Sequence, residues 1–205
     1  MADLMTDRTT PPIFAFPRIC KTDLLFIRIG GNGLGNLMLT WARCVAASGR
    51  NGWKMIWPTW RSFKPKNWRV NPYDHRTYLD LFQPAGHYIT GWRKPWNLAR
   101  YRWITEAEAG ANGARPGSVV EFRGMEGFFT PFRDDQALVR DELIKMTLPH
   151  HLDALDEPGP APVAIHVRRG DFEQRASFED IVSNHNSILP LEWYMDVLQA
   201  VRDAA

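Results

Sequence analysis

The chain has 205 residues, 44% of them hydrophobic and 23% charged, with a formal net charge of +2. That is an ordinary globular composition, long enough for one full domain and part of another, and the net charge alone implies neither a nucleic-acid nor a membrane partner. Cys20 and Cys44 have no metal spacing and form no disulfide framework, which argues for a reducing compartment and for Cys44 as a core thiol.

Residues 1–22 read as an irregular N-terminal tail, because Pro11, Pro12 and Pro17 oppose regular structure. The stretch "MADLMTDRTTPPIFAFPRIC" lacks the charged start and continuous apolar run of a signal peptide. No segment approaches the ~20 apolar residues of a membrane span, so a cytoplasmic location is expected, with peripheral association at a membrane left open. "DLLFIRIG" then gives a short apolar run, Leu24 to Ile29, that reads as a buried strand closed by glycines. The turn "GGNGLGN" opens a helix with Leu34, Leu37, Met38, Trp41 and Val45 at helical spacing and Gly49 as its stop. "WKMIW", 53–57, is a second strand ended by Pro58. Strand, glycine turn, helix and strand form a βαβ unit and predict a parallel sheet.

Frequent prolines between 58 and 118 predict short elements and long loops. "SVVEFRG", 118–124, reads as a strand, and "DDQALVRDELIKMTL" as a helix with Asp134 or Asp135 as N-cap and Val139, Leu143 and Met146 on its inner face. The proline-rich run at 156–162 is a candidate linker, which sets domains at 23–155 and 163–205. After it come the strand "VAIHV", a polar loop, and a closing helix "LPLEWYMDVLQAVRDAA" that starts near Pro190 and turns Leu191, Tyr194, Val197, Leu198 and Val201 inward.

Charge is unevenly placed. From Arg50 to Trp103 eleven Lys and Arg face only Asp74 and Asp80, and the window holds seven of the nine tryptophans. At least half of those rings are expected in the core. The remainder, with Lys64, Lys66, Arg69, Arg93 and Lys94, suit acceptor sugars, an anionic lipid-linked acceptor, or single-stranded nucleic acid.

The segment "VAIHVRRGDF", 163–172, carries the densest chemistry. A strand ending in Arg168-Arg169-Gly170-Asp171 sets two guanidiniums at the carboxyl edge of a parallel sheet, where open α/β folds bind ligands. Arginine's planar fork suits phosphate oxygens. Asp171 can hold one guanidinium, His166 can donate from the strand, and Gly170 permits the turn. A plain Arg169–Asp171 ion pair and a structural His166 are the competing readings. Adhesion through "RGD" would need an exposed loop in a secreted chain, and this one follows a buried strand. A dinucleotide fingerprint fits poorly: counted from Gly31, the third glycine position holds Asn36, and "MIWPTW" supplies no ribose-binding acid. A glycine turn opening a helix still presents N–H groups to an anion.

"HVRRGDF" resembles the His-x-Arg-Arg-Gly-Asp motif of the α-1,2-fucosyltransferases. "GGNGLGNLMLTWA", 30–42, is similar to that family's "GGLGNQMFQYA", departing from it by an Asn-Gly insertion, Leu37 for Gln, Leu39 for Phe and Thr40-Trp41 for Gln-Tyr. "FRGMEGFFTPFRDDQALVRDELI" resembles the family's "GYWQSEKYF…IR" region, with Phe129 where Trp is usual, and "LPLEWYMDVLQAV" its "LP-x-x-YY" helix start.

The resemblance implies a GT-B type glycosyltransferase: a Rossmann-like domain plus the first βα unit of a second, incomplete, donor-binding domain. It implies inverting, metal-independent transfer from GDP-fucose to a galactose-terminated glycan in α-1,2 linkage, with no cofactor. Arg168 contacts the donor phosphates and Arg169 assists. His166 and Asp171 shape the catalytic turn, and Asn36 with Gly33 and Gly35 faces the pyrophosphate. Related enzymes continue beyond the point where this chain stops, so a truncated or inactive transferase fragment is an alternative expectation, as is a nucleic-acid or anionic-ligand binding protein using residues 50–103. No acid near the turn, Glu173, Glu179 or Asp180, can be singled out as general base.

Overall fold

The computed structural model describes residues 10–30, 33–63, 77–153, 173–174, 187–188 and 191–204. The chain divides into two compact units, Met1–Asp156 and Glu157–Ala205.

The first unit starts with strand β1, Phe14–Pro17, all four residues buried. A short antiparallel pair follows, β2 (Thr22–Asp23) and β3 (Arg28–Ile29). Helix α1 spans Leu34–Asn51 and leads into β4 (Lys54–Met55) and β5 (Ser62–Phe63). Helix α2 covers Arg93–Arg100, β6 Arg102–Thr105, α3 Glu106–Asn112 and β7 Ser118–Phe122. A 3-10 turn at Thr130–Asp135 runs into α4, Gln136–Met146. β4, β1, β7 and β6, in that order, form a four-stranded sheet in which every pairing is parallel. The unit is therefore α/β and compatible with a Rossmann-like fold.

Side chains alternate across this sheet as strand geometry requires. Ala15, Met55, Val120 and Phe122 join Trp41, Cys44 and Met146 in one core cluster under α1 and α4. Phe14, Phe16, Ile56 and Val119 join Leu98 of α2 in a second cluster on the other face. A single crossover hand accounts for the layering. The steps β1–α1–β4 and β6–α3–β7 move the same way along the sheet and share a face. The return from β4 to β6 puts α2 on the opposite one.

Four expectations change. The stretch read as an irregular tail contains β1, one of the sheet's two central strands, and Leu24–Ile29 is no buried strand but mostly the turn of the β2–β3 hairpin. Pro17 is tolerated because it ends β1. The Arg18 N–H donates to the Phe122 carbonyl at 3.0 Å on the β7 side, so the N–H that Pro17 lacks would fall on the β4 side, where β4 has ended at Met55. The βαβ unit is real, but its first strand lies upstream of the predicted one, with the hairpin inserted before α1. Helix α1 also runs past Gly49 to a left-handed cap at Gly52 (φ 66°), whose N–H bonds the Ser48 carbonyl. Gly49 serves packing instead: a Cβ there would lie 2.4 Å from Cδ2 of Leu138 on α4.

The "SVVEF" strand and the α4 helix form as predicted, with Met146 buried and Leu138, Val139 and Leu143 packed against the core; Asp135 occupies the N-cap position, but its side chain makes no capping hydrogen bond. Of the window's tryptophans, Trp60 is fully buried, Trp53 and Trp57 pack against the core, and Trp92, Trp96 and Trp103 are exposed. Trp68 lies outside the described residues.

In the second unit β8 (Glu173–Gln174) and β9 (Ser187–Ile188) pair in parallel, and α5 spans Leu191–Ala204. The predicted inner face of α5 is narrower than its periodicity suggested. Tyr194 and Leu198, one turn apart, are half-buried, whereas Leu191, Val197 and Val201 are exposed. Among the described residues no helix is long and apolar enough to cross a membrane.

Candidate functional site

A cleft of about 690 Å³ opens at the carboxyl ends of β1 and β7, beside the amino end of α1. This is the edge where parallel α/β sheets place ligands, because the strands end there and their loops splay apart. Its walls are Arg18 to Thr22 after β1, Ile29 of the hairpin, Asn36, Leu37 and Thr40 of α1, and Arg123 to Glu126 after β7.

Each wall is held by identifiable bonds. Glu121, buried near the end of β7, pairs with Arg18 Nη1 at 2.9 Å and Arg123 Nε at 2.7 Å. One carboxylate thus anchors two guanidiniums on neighbouring strand ends, leaving an excess of positive charge at the cleft. Arg18 also donates to the Lys21 carbonyl at 3.1 Å and lies over the Trp103 ring. The loop after β7 is clamped from α1. Buried Arg43 donates to the carbonyls of Arg123 (2.6 Å) and Glu126 (2.8 Å), and Thr40 Oγ1 donates to that of Gly124 (2.7 Å). Gly124 takes φ 63°, a conformation a side chain would strain. Arg43 Nε also lies 2.9 Å from Glu106 Oε2, and burial raises the Glu106 carboxyl above its ordinary value against the pull of that arginine.

The amino end of α1 adds its own field. Gly33 caps it with no side-chain hydrogen bond, and the first turn carries no acid. Its leading N–H groups and the helix dipole therefore favour negative charge. Asn36 stands exposed in this first turn and lines the cleft. Gly33 is extended (φ −64°), and a Cβ at Gly33 or Gly35 would meet nothing within 4 Å. Of the glycine turn's described members, Gly30 is the one with positive φ, at 75°. His166, Arg168, Arg169 and Asp171 lie outside the described residues, as does the strand expected before them.

A second polar cluster was not foreseen. Lys94 of α2 is 4% exposed. Its Nζ donates to Thr59 Oγ1 at 2.6 Å, and that hydroxyl donates to Asp23 Oδ1 at 2.8 Å. Desolvation pulls the Lys94 amine from its ordinary 10.5 down to about 8, although Asp23 favours its charge. Neither this cluster nor the Arg18–Glu121–Arg123 triad has a signal in sequence spacing, since each draws on segments remote from one another. Among the described residues no group of three or more His, Cys, Asp or Glu could hold a metal ion. Cys20 lines the cleft and Cys44 is fully buried, both as free thiols; burial raises the Cys44 thiol well above its ordinary value.

The first unit is thus an α/β unit with a cleft at the carboxyl edge of its parallel sheet, lined by Arg18, Lys21, Arg123 and Glu126. Compared with known proteins, the chain matches no family model, no curated protein and no solved structure.

Proposed function

We propose that the chain is an inverting, metal-independent glycosyltransferase of the α-1,2-fucosyltransferase kind, with GDP-fucose as donor and a galactoside hydroxyl as acceptor. The observation that carries this reading is the position of Asn36. The residue that the motif resemblance assigns to the pyrophosphate stands in the first turn of α1, on the wall of a cleft at the strands' carboxyl edge. Arg18, Lys21 and Arg123, together with the helix amino end, give that cleft donors for an anion.

In the reaction the bond between fucose C1 and the β-phosphate oxygen breaks, and the acceptor oxygen bonds C1 from the opposite face. The hydroxyl proton leaves to a base, and GDP carries away the negative charge. In this reading Arg168, assisted by Arg169, meets the growing charge on the β-phosphate, with His166 and Asp171 holding the turn. Transfer of labelled fucose from GDP-fucose to galactose-terminated acceptors tests it. Arg168→Ala is expected to lower the rate by about 10²–10³-fold, as loss of one preorganised donor does elsewhere. Turnover near wild type in that variant overturns the assignment.

The exposure of Trp92 and Trp96 favours a second reading, a protein that binds nucleic acid or another polyanion through residues 50–103. Ionic strength separates the two. Affinity for a polynucleotide should fall steeply with salt, whereas sugar stacking on a tryptophan should hardly change.

A further inference from the structure

The hairpin that lines one side of the cleft presents apolar side chains outward. Leu24 and Phe26, at its turn, are about half exposed, and Trp92, at the amino end of α2, is 83% exposed. The Phe26 and Trp92 rings touch edge-on, with centroids 5.8 Å apart. Trp96 follows Trp92 by one helical turn and is also exposed. These residues therefore make one patch rather than scattered surface hydrophobes.

The backbone is strained to display it. Leu25 has φ 72°, and the Phe26 N–H donates to the Leu24 carbonyl at 2.8 Å, a γ-turn of the rare positive-φ kind. Asp23 Oδ1 holds the turn by accepting from the Leu25 N–H at 2.9 Å, and the same oxygen accepts from Thr59, which Lys94 of α2 also bonds. Hairpin and helix are thus locked together by a buried network, with the apolar groups on the outside. Exposed cations flank it: Arg61 lies beside β3, whose Arg28 N–H bonds the Arg61 carbonyl, and Arg93 and Arg100 lie on α2 with Trp96 and the N-cap Trp92, while the carboxylate at the turn, Asp23, is engaged by Thr59 and the Leu25 N–H.

We infer that this patch docks the protein on an anionic phospholipid surface. Tryptophan, phenylalanine and leucine enter the interfacial layer while the arginines meet the headgroups. Charge suits either polyanion, but the shape of the patch fits a lipid surface better than a nucleic acid. The Phe26 ring is turned 75° from Trp92, so the two form no parallel stacking platform, and Leu24 offers no π-face to a base. Docking this way brings the cleft wall formed by Thr22 and Ile29 close to the bilayer. The inference goes beyond the transferase reading and does not depend on it.

The test is co-sedimentation of the purified chain with vesicles of phosphatidylcholine alone and of phosphatidylcholine mixed with phosphatidylglycerol. Binding is expected to be about tenfold or more stronger to the mixed vesicles. The double variant Phe26→Ser, Trp92→Ala should weaken it by about tenfold or more, with an unchanged thermal unfolding midpoint because both side chains are exposed. No preference for the anionic vesicles, or equal binding by the variant, overturns the proposal. So does binding to single-stranded oligothymidylate, but not to vesicles, that the same variant abolishes.

Discussion

Two buried charged residues decide how the first unit responds to mutation and pH. Arg43 has its guanidinium spread over the Arg123 and Glu126 carbonyls and Glu106. Arg43→Ala removes two hydrogen bonds to the loop carbonyls and the ion pair with Glu106, so a loss of about 3 kcal/mol is expected in urea denaturation, together with loosening of the cleft loop. Lys94 acts through pH. Its folded value of about 8 lies below its ordinary 10.5, so between these pH values the unfolded chain holds a proton that the native one has released. Stability from this group therefore rises with pH across that window and is lowest below it. Lys94→Met should remove the rise, and the difference between the two proteins' thermal midpoints from pH 7 to 10.5 measures it. A constant difference would mean that Lys94 is not desolvated in solution.

Among the elements, α1 does the most positioning. Its first turn faces the cleft, its middle clamps the loop after β7, and its last turn meets α4 at Gly49. Alanine would normally favour a helix interior by about 0.5–1 kcal/mol over glycine. At Gly49 the Cβ would meet Cδ2 of Leu138, the tip of a half-buried side chain that must swing aside, which offsets part of that gain. Gly49→Ala is thus expected to stabilise less in the wild-type background than in a Leu138→Ala background, a coupling that a double-mutant cycle of unfolding free energies reads directly. Helix α3 depends on a capping box, in which Thr105 Oγ1 accepts from the Glu108 N–H and the Glu108 carboxylate accepts from the Thr105 N–H at 2.6 Å. The spacing Thr105-x-x-Glu108 is a local signature of this kind, and it could have been read from the sequence.

For the whole molecule the decisive element is β1. It lies between β4 and β7 and contributes to both core clusters. Removing residues 1–21 should abolish cooperative thermal unfolding followed by circular dichroism, whereas removal of an irregular tail would leave it intact. Where a segment's own residues settle its state, the sequence was legible. The apolar period of α1, the continuous "SVVEF" strand, the α4 helix and a parallel α/β arrangement all follow from side-chain spacing along one stretch of chain. Two of the misjudged segments misled through local rules. Three prolines concealed β1, because proline's missing N–H is harmless at a strand end whose neighbour has already stopped. An apolar run suggested a strand at Leu24–Ile29, although part of it turns outward.

By itself the sequence determined that the chain builds a parallel α/β unit and that a glycine turn opens its first long helix, since both depend on near neighbours. Only the tertiary structure decided that β1 and β7 are the inner strands, that Arg18 and Arg123 share Glu121, that Lys94 is buried against Thr59 and Asp23, and that Leu24, Phe26 and Trp92 share one surface. Those partners lie far apart in the chain, and long-range pairing leaves no local periodicity to read.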